Sequence, residues 1–122
     1  MPALRLLARS LFATIFVLSG YETVMNPGGR TKIVDERLPL PNPELMVRIN
    51  GASMLAGGTA LALGVKPRLA AFGLAAALVP TTYAGHQFWA TDDVTTRTAQ
   101  RVHFRKNVSL FGGLLTYALT EQ

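Results

Sequence analysis

Apolar positions run along this chain in four long blocks, and polar positions collect in the gaps between them. The blocks cover residues 4–25, 45–65, 69–90 and 103–119. Each is close to the ~20 residues that a helix rising about 1.5 Å per residue needs to cross about 30 Å of hydrocarbon. Leu, Ala, Val, Gly, Phe and Thr dominate inside them, and charge is confined to their ends. In lipid a backbone has no water to bond, so it must satisfy itself; helices do this, whereas strand pairs would leave open edges. The pattern predicts an all-α protein, an antiparallel bundle of four transmembrane helices forming one domain over residues 1–122.

A soluble all-helical domain is the alternative, and an apolar content of 49% allows it. Against it stands the lack of a polar face. Residues 54–65 and 69–79 contain no Asp, Glu, Lys, Arg, Asn or Gln, whereas a surface helix shows polar residues on every turn. The fourth block is the weakest, because it reaches spanning length only when residues 103–107 are counted. The first resembles a secretory signal, with Arg5 and Arg9 ahead of an apolar run, but no A-x-A cleavage pattern follows, so an uncleaved first helix is expected. Between the blocks, residues 26–44 carry six Pro and Gly residues and predict a cap lying on the membrane surface. Residues 64–68 read as a tight hairpin and residues 91–100 as a second polar excursion.

Charge changes the picture little. A net charge of +5 fits basic flanks on membrane helices, and no nucleic-acid partner is expected. The chain has no cysteine, which excludes disulfides and thiolate metal sites. Orientation is pulled two ways. Counting bases alone favours the loop side as cytoplasmic, while the unopposed Arg5 and Arg9 of the first helix favour cytoplasmic termini.

The polar residues are one-sided. In an antiparallel bundle, Tyr21 and Glu22, Arg48 and Asn50, His86, Gln87 and Trp89, and His103, Arg105, Lys106 and Asn107 all fall in one leaflet. His103, Lys106 and Asn107 stand at i, i+3 and i+4, so they are expected on one helix face, turned to the bundle interior because ionisable groups at membrane depth are costly. Glu22 is the expected partner of Lys106 or Arg48. The competing reading makes these residues a boundary marker that snorkels to water beside an aromatic belt.

Two kinds of ligand come into question for this cluster. His86, His103 and Glu22 could form a 2-His-1-carboxylate metal set, but they lie on three helices with no local ligand motif, and no metal is expected. A quinone fits better: its ring and tail enter from lipid, while imidazole, ammonium and amide donors meet the carbonyl oxygens. The candidate cofactor-binding set is therefore His86, His103, Lys106, Asn107, Glu22 and Arg48, with no catalytic residue assigned. Small residues four apart (Ser53 and Gly57, Gly58 and Ala62, Gly73 and Ala77, Ser109 and Gly113) predict close helix packing. Pro80, followed by Thr81 and Thr82, predicts a kink in the third helix.

Taken together, Leu18-Ser19-Gly20 with Asn26-Pro27, Gly51 with Gly57-Gly58 and Leu63-Gly64, Pro67-Arg68-Leu69-Ala70, Pro80-Thr81-Thr82, Gly85-His86-Gln87-Phe88-Trp89, His103-Phe104-Arg105-Lys106-Asn107 and Gly112-Gly113-Leu114-Leu115 resemble the DoxX family of small four-helix membrane proteins. The resemblance covers essentially the whole chain. It implies a multi-pass bundle in a prokaryotic cytoplasmic membrane and a tie to redox processes: the family's name comes from a subunit of a thiosulfate:quinone oxidoreductase, and some actinobacterial relatives are associated with membrane complexes for oxidative-stress defence. The chain departs from the common pattern at two positions. Thr23 stands where many relatives have Lys, and Met54 where they have Glu, which leaves His86, His103, Lys106 and Asn107 as the matched polar positions. Three functions follow as expectations. The favoured one is a non-catalytic accessory subunit of a membrane redox or respiratory complex, with the bilayer and other membrane subunits or further copies of itself as partners. A quinone-binding redox component and a small transporter or channel subunit are the alternatives.

Overall fold

The computed structural model describes residues 2–26, 28, 42–85 and 92–120. All the elements among them are helices: α1 (Pro2–Met25), α2 (Pro43–Leu63), α3 (Pro67–Gly85) and α4 (Val94–Thr120). The cap expected over residues 26–44 and the end of the third block, with His86, Gln87 and Trp89, lie largely or wholly outside the described residues.

Local chemistry sets the helix ends. Asn42 precedes α2 and its side-chain oxygen accepts from the Leu45 amide at 3.3 Å, with Pro43 in the first turn, where its missing N–H costs nothing. α2 stops at Gly64, which takes a left-handed φ of 74°. The Val65 amide then reaches back to the Ala60 carbonyl at 2.9 Å, a hydrogen-bonded end that glycine tolerates best. Pro67 opens α3 two residues later, so the hairpin read from residues 64–68 is present.

α4 differs from expectation. It begins at Val94, inside the stretch read as a polar excursion, and runs for 27 residues. Asp93 makes this possible. Its carboxylate accepts from the Thr96 amide at 2.9 Å and the Thr96 hydroxyl at 2.7 Å, an N-cap that lets polar residues start a helix. At about 1.5 Å per residue α4 is about 40 Å long, some 10 Å more than a hydrocarbon core. The same two bonds from Thr96, with help from Arg97, hold the Asp93 carboxyl below the ordinary carboxylate range. A depressed acid stabilises above its unfolded value and loses that contribution as pH falls through the folded one. Asp93→Ala is therefore expected to fray the first turn of α4 alone: the Thr96 amide should exchange hydrogen faster at neutral pH, with α1–α3 unchanged.

Each helix packs antiparallel on the next, as inter-helix contacts at both ends show. Along α1 and α2, Gly20 meets Gly51 and Leu55, Phe16 and Val17 meet Gly58, and Arg9 meets Gly64. Between α2 and α3, Asn50 bonds Thr81 and Gly57 meets Leu74. α3 and α4 are joined by Asn107 to Thr82 at one end and by Arg68 Nε to the Ala118 carbonyl, 2.7 Å, at the other. α4 returns to α1 where Phe12 covers Gly113. Phe16, Leu61, Leu74 and Leu114 are the largest fully buried side chains, surrounded by Ala13, Ala71, Ala75, Ala77 and Ala118; alanine at so many core positions lets the backbones come close.

Back-to-back glycines explain the place of α2. Gly57 faces α3 and Gly58 faces α1, each at a position where a Cβ would come within 3.1 Å of a neighbouring side chain. The packing role read for Gly73 is not seen, since nothing approaches a Cβ there within 4 Å. By length and composition α1 is the one described helix that meets the measure of a membrane span. α2, α3 and α4 each carry charged or polar turns at an end, as Glu44 and Arg48, Arg68, and the start of α4 show.

Candidate functional site

The polar residues that the fold brings together lie just beyond Pro80 on α3. Proline has no N–H to offer the helical ladder, yet α3 continues through it to Gly85. Thr81 and Thr82 support that turn with their hydroxyls, which donate to the Ala77 carbonyl at 3.1 Å and the Leu78 carbonyl at 2.7 Å. Each hydroxyl also accepts a bond from a neighbouring helix. Asn50 Nδ2 on α2 donates to Thr81 Oγ1 at 2.7 Å, and Asn107 Nδ2 on α4 donates to Thr82 Oγ1 at 3.0 Å. Two side-by-side relays, amide to hydroxyl to carbonyl, thus clamp α3 from both flanks. Neither contains an ionisable group.

Of the residues read as a site, Asn107 is where the sequence placed it, 4% exposed and turned inward. His103 and Lys106 are exposed, so the trio does not share an inward face. Adjacent helical residues are about 100° apart, and the seam that buries Asn107, Leu114 and Ala118 is too narrow to admit Lys106 beside Asn107. Glu22 is exposed at the end of α1. Arg48 is also exposed, and its guanidinium pairs with Glu44 one turn earlier on its own helix, at 3.2 Å, rather than with Glu22. Such an i, i+4 pair at the surface contributes only about 0.3–0.5 kcal/mol. His86 lies outside the described residues. Among the described residues, no three His, Asp or Glu side chains come together.

Thr81 and Thr82 are the site residues that sequence reasoning missed. In the sequence they stand as followers of a helix-bending proline and as part of the Pro80-Thr81-Thr82 motif, with no site role attached. The available signal is that two hydroxyls sit next to a broken ladder position while Asn50 and Asn107 stand at matching depths on the flanking helices.

The two positions where the chain departs from its resembling family also lie in the interior. Thr23 is 5% exposed and packs its methyl side against Gly51, while its hydroxyl donates to the Ser19 carbonyl at 2.7 Å. Met54 is 5% exposed, with its sulfur 3.8 Å from Asn50 Nδ2. Both are neutral. The α1–α2 interior therefore holds a methyl group and a thioether at these two places.

Comparison with known proteins agrees with the resemblance. The family model described as DoxX matches residues 4–87, which takes in α1, α2 and α3. No curated protein and no solved structure matches the chain.

Proposed function

The chain belongs to the DoxX family of membrane proteins, and on that footing we propose that it is a non-catalytic, four-span accessory subunit of a redox assembly in a prokaryotic cytoplasmic membrane. The observation that carries the non-catalytic part is the neutrality of the polar cluster beyond Pro80: among the described residues its side chains are spent on Asn50–Thr81 and Asn107–Thr82 bonds between helices. His103 and Lys106, the groups a quinone site would need, are exposed. The redox part rests on the family resemblance.

Four spans are supported by what the outside of the bundle is made of. Leu4, Leu11 and Leu18 on α1, Ile49 and Leu63 on α2, Leu69, Phe72 and Val79 on α3, and Val108 and Leu119 on α4 are all exposed. A soluble monomer of this size does not present large apolar side chains from every helix, whereas lipid accepts them. Exposed threonines fit the same solvent. Thr14, Thr59 and Thr116 each turn the hydroxyl back to the carbonyl four residues earlier, at 2.8–2.9 Å, which satisfies the group where no water is present. Single cysteines at Asn26, Val65 and Thr95, probed with an impermeant reagent in intact cells, should report Asn26 and Thr95 on one side and Val65 on the other. Labelling of Asn26 and Thr95 from opposite sides would end the four-span reading.

Purification in mild detergent should recover other membrane subunits with the protein. The double variant His103→Leu/Lys106→Met removes donors and charge from two exposed positions. It is expected to assemble with the same partners and to leave quinone-linked electron transfer unchanged. Loss of bound quinone or of electron transfer at equal assembly would replace the accessory reading with a quinone-binding one.

A further inference from the structure

We propose that the end of the bundle formed by the start of α1 and the α2–α3 hairpin binds the phosphate of an anionic phospholipid, with Arg9 as its central donor. Arg5 and Arg9 lie one turn apart on α1, so they share a face. The Arg9 guanidinium lies over the hairpin: a Cβ at Gly64 would come within 2.9 Å of its Nη2, and only a glycine hydrogen occupies that space. Lys66 and Arg68 follow on the same hairpin. Arg68 is held at this end by its Nε bond to the Ala118 carbonyl.

Two independent features mark a ligand here. Arg9 Nε is buried and has no hydrogen-bond partner among the described residues, and a buried charged donor left unbonded is unfavourable. In addition, the described acids all lie elsewhere: Glu22, Glu44, Asp92 and Asp93 flank the helix ends at the opposite side of the bundle. Four bases, against the single acid Glu121 that follows α4 in the sequence, give this rim a net positive charge at headgroup level. A guanidinium fork matches two oxygens of one phosphate, and anionic headgroups are the phosphates concentrated at that depth. This inference rests on the four-span reading, whose failure shows in the cysteine labelling, and it stands apart from the accessory role.

The test is lipid retention by the whole protein in nanodiscs of equal phosphatidylcholine and phosphatidylglycerol, counted by native mass spectrometry. The wild type is expected to hold phosphatidylglycerol preferentially. Arg9→Gln should weaken that retention about fivefold, the effect of one basic residue near a charged surface, while Arg105→Gln at the opposite end leaves it intact. If Arg9→Gln does not fold, Arg5→Gln/Lys66→Gln alters two exposed side chains and is expected to lose retention in the same direction. Absence of preference in the wild type overturns the proposal. Equal loss on altering Arg105 does so too, as does displacement of the lipid by inorganic phosphate alone, which would mark a free-anion site. Failure of the accessory reading shows in co-purification and does not move the lipid count.

Discussion

Replacing Gly20 with valine is expected to force α1 away from α2 and to destabilise the protein by about 3 kcal/mol, at the upper end of what overpacking usually costs. The geometry leaves no softer outcome. A Cβ at Gly20 would lie 2.6 Å from the Gly51 carbonyl oxygen and 2.6 Å from the Leu55 amide nitrogen, both backbone atoms that no rotamer change can move. Restoring contacts of roughly 3.5 Å means shifting one helix by about 1 Å, and that shift would also loosen Phe16 and Val17 from Gly58. Alanine should already produce most of the effect, since its Cβ is the offending atom. Reversible unfolding in detergent checks this, with Gly73→Val as control, because nothing lies within 4 Å of a Cβ there. Equal stability of the Gly20 and Gly73 variants would show that α1 and α2 are not in van der Waals contact at this point.

That pair of glycines shows where sequence reading succeeded and where it stopped. Solvent is a property of whole segments, so blocks without polar residues gave four helices, with α2 within two residues of its expected ends. The α4 start was misread because Thr-Thr-Arg-Thr-Ala-Gln has loop-like composition, and its helicity depends on a single cap at Asp93. Close packing was sought as small residues four apart on one helix. The tightest approach instead uses one glycine from each of two helices, Gly20 and Gly51, and such a pairing has no period within either segment. The charged site fared similarly. Arg48 had a carboxylate within reach on its own helix, Glu44, so the contact to Glu22 imagined across the bundle had a local competitor.

Asn107 is the candidate that the fold kept, and its role can be separated from that of a ligand-binding group by changing one atom. In Asn107→Asp the Nδ2 donor becomes an oxygen of similar size. Thr82 cannot compensate, because its proton is committed to the Leu78 carbonyl, so an ionised carboxylate would face lone pairs in a position now 4% exposed. The cost expected is about 3 kcal/mol, as for an aspartate placed within a membrane helix. Asn107→Leu, which removes the amide without adding charge, should cost about 1 kcal/mol, the scale of one interhelical hydrogen bond in lipid. The two variants should also differ in pH dependence. Burial raises the pKa of the introduced carboxyl above the unfolded value of about 4. The protonated form, which can donate to Thr82 as the amide does, therefore keeps the protein stable below that unfolded value, and stability is lost as pH rises through the folded one. Asn107→Leu has no such group and should stay flat over the same range. Unfolding of both variants at acidic and neutral pH decides the matter: if Asn107→Asp is no weaker than Asn107→Leu at neutral pH, the 107 side chain reaches water or a polar ligand, and the clamp on α3 is not what Asn107 is for.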